Sequence, residues 1–170
     1  MTAYLNALGL ICALGHGQAE VAARLFAGDC SGMRPAAGWI PERQPPVGAV
    51  MQPLPAVPLP EQHSRNNQLL YAAALQIEPA LRQAIAQYGA HRVGVVLGTS
   101  TSGIAEGSAA IGHFLAGGHF PADYHYDQQV LSAPADFLAD WLQLGGPAYV
   151  ISTACTSSGR ALLSARRLLD

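Results

Sequence analysis

Ala148-Tyr149-Val150-Ile151-Ser152-Thr153-Ala154-Cys155-Thr156-Ser157-Ser158-Gly159 is the stretch whose reading decides the fold. Its first four residues are apolar, β-branched or aromatic, the composition of a short buried strand. Directly after Cys155 the spacing changes. Ser158, Ala161/Leu162, Ala165 and Leu168/Leu169 recur at three- and four-residue intervals, which predicts a helix. A thiol at a strand-to-helix junction faces the helix's first, unpaired N–H groups, whose partial positive charge favours the nucleophilic thiolate. Thr156, Ser157, Ser158 and Gly159 keep that first turn slim, leaving an extended substrate room to reach the sulfur. Free cysteines also serve as small core residues, and from position alone that reading stands beside the catalytic one.

Upstream, Gly145-Gly146-Pro147 breaks the chain sharply, and proline is tolerated at the start of the strand that follows. Residues 134–144 carry Phe137, Leu138, Trp141, Leu142 and Leu144 in a helical pattern. Residues 93–97 read as a second buried strand, which delivers the loop Gly98-Thr99-Ser100-Thr101-Ser102-Gly103. A Gly/Ser/Thr loop after a strand raises the question of phosphate binding, but neither nucleotide-loop spacing is present. Small residues there let backbone approach a substrate closely. Residues 104–115 form a helix of small residues ended by Gly117-Gly118. Ser64 caps a helix carrying Leu70, Ala73/Ala74, Ile77, Leu81, Ala84/Ile85 and Tyr88, broken near Ile77-Glu78 by Pro79 and ended by Gly89. Residues 4–14 are mostly apolar and predict a buried strand containing Cys12, followed by the turn Gly15-His16-Gly17. A helix follows over residues 18–27, stopped by Gly28. Such alternation predicts an α/β layer with a mainly parallel sheet and helices on both faces.

Half the 170 residues are hydrophobic and only 12% are charged, which excludes a disordered chain. A net charge of −2, with nine arginines and no lysine, gives no basic stripe for nucleic acid. No apolar run approaches the ~18 residues of a membrane span, and a basic leader is lacking, so the expected location is the cytoplasm. Cys12, Cys30 and Cys155 are too widely spaced for a zinc cluster or a disulfide framework.

Most of the twelve prolines fall in residues 35–60, which forbids long helices and central strands there. A linker is one reading; the preferred one is an extended segment wrapping the surface, because Trp39, Ile40, Val47, Val50 and Met51 call for burial. His113, His119 and His125 stand six apart, with Asp123 and Asp127 nearby. That is not the spacing that puts two metal ligands on one helix face, and surface histidines are expected rather than a metal site.

Several of these motifs together resemble one family. Val150-Ile151-Ser152-Thr153-Ala154-Cys155-Thr156-Ser157-Ser158-Gly159 is similar to the nucleophile motif of β-ketoacyl-[acyl-carrier-protein] synthases, the condensing enzymes of fatty acid and polyketide synthesis. Gly9-Leu10-Ile11-Cys12-Ala13-Leu14-Gly15, Leu25-Phe26-Ala27-Gly28 and Ser31-Gly32-Met33-Arg34-Pro35 resemble that family's opening strand, helix and loop. Arg92-Val93-Gly94-Val95-Val96-Leu97-Gly98-Thr99 resembles its central strand, and Gly146-Pro147 precedes the nucleophile strand as in the family.

The resemblance implies the N-terminal half of a thiolase-like fold over residues 1–170, with the second half absent. It implies Cys155 as the nucleophile that accepts an acyl group from acyl-carrier protein before decarboxylative condensation with malonyl-carrier protein. The Cys155 N–H would form part of an oxyanion hole, and the second donor and two histidines would come from the missing half. It places Thr99, Ser100, Thr101 and Gly103, with Thr156 and Ser157, beside the substrate, and gives Arg65 a structural or interface role. It implies no cofactor of the chain's own, the acyl and malonyl thioesters arriving on the phosphopantetheine of the carrier protein. A homodimer or heterodimer through the strand at residues 149–153 is also implied, as is an apolar face normally covered by the second half. Two other readings stand: a non-catalytic half-domain that binds a partner ketosynthase or carrier protein, and a degradative thiolase.

Overall fold

In the computed structural model, which describes residues 2–170, the strand read first forms as expected. That strand, β6 (Ala148–Ile151), pairs in parallel with β5 (Val95–Gly98), in the register Val95↔Ala148 through Gly98↔Ile151. Side chains alternate along a strand, so the two faces of this pair carry different residues. Val95, Leu97, Ala148 and Val150 face the main core, where α5 (Ala133–Leu142) contributes Ala135, Phe137 and Leu138. Leu70 and Tyr71, on α2 (Arg65–Leu75), pack against the same cluster. Phe137 is 0% exposed, and its ring meets Tyr71 edge-on at 5.7 Å between centroids. The opposite face of the pair is covered by α6 (Ser157–Leu168), with the Tyr149 hydroxyl 2.7 Å from Ser164 Oγ. Helices therefore lie on both faces of a parallel pair.

The remaining strands depart from the expected layer. β1 (Ile11–Cys12) and β2 (Gly15–His16) form an antiparallel hairpin, as do β3 (Met33–Pro35) and β4 (Pro46–Gly48). Among the described residues the parallel sheet is reduced to the β5–β6 pair. The buried strand expected over residues 4–14 is not formed: residues 4–8 are an exposed extended segment, with Leu5 86% exposed, and residues 9–14 are half-buried with only β1 in a strand. Where a strand would engage a neighbouring ladder, a side chain takes its place. Leu10 N–H donates to Gln76 Oε1 and Gln76 Nε2 donates to the Leu10 carbonyl, both at 3.0 Å.

Local chemistry accounts for the helices. The Ser64 hydroxyl accepts from Asn67 N–H and caps α2, and Pro79 sits in the first turn of α3 (Glu78–Tyr88), so the predicted break falls between Leu75 and Glu78. Gly89 follows α3 at φ 85°. α4 (Ile104–Gly117) ends on Gly118 in the left-handed conformation. α5 ends two residues earlier than its apolar pattern predicts, because Gln143 adopts φ 55° and turns the chain before Leu144. α1 (Gln18–Phe26) buries only Val21, and Phe26 points to solvent. The proline-rich segment does wrap the surface, since the Arg65 guanidinium donates to the Val50 carbonyl at 3.1 Å. Burial along it is uneven: Val57 joins the main core at 6% exposure and Val47 and Val50 are half-buried, whereas Trp39 is 72% exposed, and Ile40 and Met51 are exposed as well. Two strands of three residues give these last three nothing broad enough to pack on.

Candidate active site

The turn that joins β6 to α6 is built from tight local bonds. Ala154 takes φ 51°, a left-handed conformation that costs a residue with a Cβ roughly 1–2 kcal/mol. Hydrogen bonds on both sides of Ala154 hold it there. Ser157 Oγ accepts from Thr153 N–H at 2.9 Å and donates to the Ala154 carbonyl at 2.6 Å. The Thr156 hydroxyl lies 2.9 Å from both the carbonyl and the hydroxyl oxygen of Thr153. Backbone bonds from Thr156 N–H to Thr153 and from Ser157 N–H to Ala154 close the turn.

Cys155 stands on this turn exposed, so within this chain it does not fill a core. It precedes α6 by two residues, and no acidic side chain in the first turn of α6 offsets the positive end of the helix dipole. Arg166 and Arg167 occupy the last turn, where they complement the negative end. Among the described residues no hydrogen bond takes up the Cys155 N–H.

The other candidate residues divide. Thr99 leaves β5 beside the end of β6, its N–H donating to the Ile151 carbonyl at 3.3 Å. The Thr99 hydroxyl donates to the Thr101 carbonyl and accepts from Thr101 N–H, folding residues 99–101 into a small turn with Ser100 and Thr101 exposed. The two loops thus leave adjacent parallel strands at the same end. Gly103 lies elsewhere: it is buried, its N–H donates to Gln128, and a Cβ there would strike Gln128 and Ser64. Ser157 is 4% exposed with its hydroxyl engaged on both sides, so it faces the turn's interior while Thr156 is exposed.

Two residues that matter to this geometry were not singled out. A Cβ on Gly98 would fall 2.5 Å from Ser157 carbonyl atoms, so the start of α6 seats on β5 only because position 98 has no side chain. A glycine inside a strand does signal close backbone approach. Nothing in an alanine signals a left-handed turn, and Ala154 was not legible.

Away from this turn, the His113 and His119 rings meet at 4.9 Å, and His125 N–H donates to Gln128 Oε1 at 3.2 Å. A cleft of about 620 Å³ touches His63, Glu106, His113 and Tyr124, and Cys155 is not part of its lining. The Arg65 N–H donates to Glu106 Oε1 at 2.7 Å, a structural tie between α2 and α4.

The family model described as "Beta-ketoacyl synthase, N-terminal domain" matches residues 62–170, the segment that contains both strands, the loop at 99–103 and the cysteine turn. The chain belongs to the β-ketoacyl synthase family. It superposes, with TM-score 0.90 and 42% identity, on a chain of the solved complex of a ketosynthase, ApeO, with its chain length factor, ApeC, from Xenorhabdus doucetiae. That match covers 98% of this chain and 43% of that one. A β-ketoacyl synthase from Burkholderia phymatum STM815 matches with TM-score 0.69 and 22% identity over 94% of this chain and 41% of that one. The ishigamide ketosynthase/chain length factor matches with TM-score 0.69 and 23% identity over 96% and 43%. The last two show the fold alone. A comparison with curated proteins finds no match. The β-ketoacyl synthase half seen here thus spans less than half the length of these solved structures. Among the described residues no helix is long and apolar enough to cross a membrane.

Proposed function

We propose that Cys155 is the acyl-accepting nucleophile of a condensing enzyme that works on carrier-protein thioesters. The observation that carries this reading is an exposed thiol on a left-handed turn between a parallel strand and the open N-terminal end of a helix. The thiolate attacks the acyl thioester carbonyl, a new C–S bond forms to Cys155, and the carrier's thiol leaves. Loss of CO2 from malonyl-carrier protein then yields an enolate whose carbon attacks the acyl group, and the Cys155 thiolate is released. The Cys155 N–H is one donor for the developing oxyanion, and groups beyond this chain supply the second donor and stabilise the enolate. Thr99, Ser100, Thr101 and Thr156 border the path to the sulfur. No metal or cofactor of the chain's own enters this scheme.

A second reading draws on the neighbours described as ketosynthases with chain length factors: the chain acts as one partner of such a pair without acylation. In either case the edge of β6 away from β5, over residues 149–153, is the expected dimer seam, with a homologous chain or a copy of this one across it.

Incubation with an acyl thioester, followed by intact mass and peptide mapping, separates the two readings. The enzyme reading expects one adduct, on Cys155, absent from denatured protein and from Cys155→Ala. Labelling scattered over Cys12, Cys30 and Cys155, or none on Cys155, favours the non-catalytic partner.

A further inference from the structure

We infer that Ser157 is the positioning residue that holds the cysteine turn in its left-handed form, rather than a substrate ligand. The inference rests on the reading of Cys155 as nucleophile but comes from separate observations. Ser157 is nearly inaccessible to solvent, at 4%. Its single hydroxyl both accepts and donates, and the two partners bracket one residue: Thr153 N–H at 2.9 Å and the Ala154 carbonyl at 2.6 Å. That bracketed residue is Ala154, at φ 51° immediately before Cys155.

A hydroxyl so engaged has no donor left for a substrate oxygen. What it does is connect the end of the strand to the first turn of the helix across the one residue whose backbone would otherwise relax. Ala154 has no side chain able to stabilise a left-handed conformation locally, unlike asparagine or aspartate, and it lacks the freedom of glycine. The Thr153–Thr156 contacts lie at the surface, where water competes for the same groups; the Ser157 bonds are shielded. Gly98 completes the arrangement by letting the Ser157 backbone sit directly on β5, which fixes the hydroxyl relative to the strand. Cys155 is thereby presented by a preset turn and does not depend on substrate binding to form it.

The test compares Ser157→Ala, Ser157→Thr, Ala154→Gly and the Ser157→Ala/Ala154→Gly double variant, using iodoacetamide labelling of the folded chain. The rate at Cys155 is referenced to that at Cys30, which is exposed and far along the chain. Ser157→Ala is expected to change the Cys155-to-Cys30 rate ratio on the order of tenfold, the effect of removing one buried hydrogen-bonding group. Ser157→Thr keeps the hydroxyl and recovers the wild-type ratio. The double variant also recovers it, because glycine holds the left-handed conformation without help. A merely structural role predicts something else: general loosening that raises labelling at Cys12 and Cys30 together and is not relieved by Ala154→Gly. An unchanged ratio in Ser157→Ala, or equal losses in the single and double variants, overturns the inference. Labelling by iodoacetamide does not require acyl transfer, so a chain that fails to accept acyl thioesters still answers this question.

Discussion

α5 and α6 cover opposite faces of the same two strands, yet they do different work. α5 buries six of its ten residues, among them Phe137, Leu138 and Leu142. α6 buries only Ser157 and Ala161 of twelve. One face of the pair is therefore the chain's main core, and the other is a platform on which a turn is held. If Cys155 is the nucleophile proposed above, stability and chemistry are separated across the β5–β6 pair. Substitutions on the α5 side should unfold the protein without specifically affecting the cysteine, and those on the α6 side should do the reverse.

The largest effect expected is on the platform side. Cys155→Ala should abolish acyl transfer, while Cys12→Ala and Cys30→Ala retain it, as read by intact mass after thioester treatment. Substantial acylation persisting in Cys155→Ala would remove the chemical half of the comparison. On the core side, Phe137→Ala should cost about 3–5 kcal/mol, because Phe137 is fully enclosed, meets Tyr71 edge-on and stacks on Trp141. Denaturant unfolding followed by circular dichroism measures that loss. The fraction remaining folded should still label at Cys155 at the normal rate.

Gly98→Ala probes the join between the two sides. A Cβ there meets Ser157 backbone atoms, which cannot rotate away as a flexible side chain would, so α6 must lift or shift along β5. The expected cost is about 1–3 kcal/mol, the usual range for overpacking. Acyl transfer by the folded fraction should fall as well, since the displaced element carries the cysteine turn. A variant that loses stability alone would show that the turn tolerates movement of α6.

The two sides were not equally legible in sequence. The core side announces itself through periodicity: Phe137, Leu138 and Leu142 mark α5, Ser64 marks the start of α2, and Pro79 places the break before α3. β6 follows from four apolar residues after a Gly-Pro break. The cysteine could be picked out as a junction residue, but the conformation that presents it could not. Ala154 at φ 51° is held by hydrogen bonds of its neighbours rather than by its own side chain, and neither alanine nor the glutamine at position 143, φ 55°, favours that region. The strand expected over residues 4–14 failed for a related reason. Hydropathy records a wish for burial, but among the described residues only the two-residue β2 lies alongside, at Ile11–Cys12, and Gln76 binds Leu10 instead. Trp39 and Met51 follow the same logic, with apolar side chains on a segment too thin to enclose them.

The smallest effect expected is also the one that most sharpens the contrast. Leu162 and Leu163 lie on α6 and remain 58% and 46% exposed, and Leu168 and Leu169 at its C-terminal end are exposed too. Apolar side chains this open contribute little to folding, because about half of their surface stays in water in both states. Leu162→Gln/Leu163→Gln should therefore change stability by no more than about 0.5 kcal/mol per site, the usual range for surface substitutions. The same double variant should reduce self-association, read by sedimentation or light scattering across a concentration series, because it removes two exposed leucines from α6. A loss of stability well above that range, with association unchanged, would mean that α6 is anchored by its leucines as α5 is, and the division between a core face and a platform face would not hold.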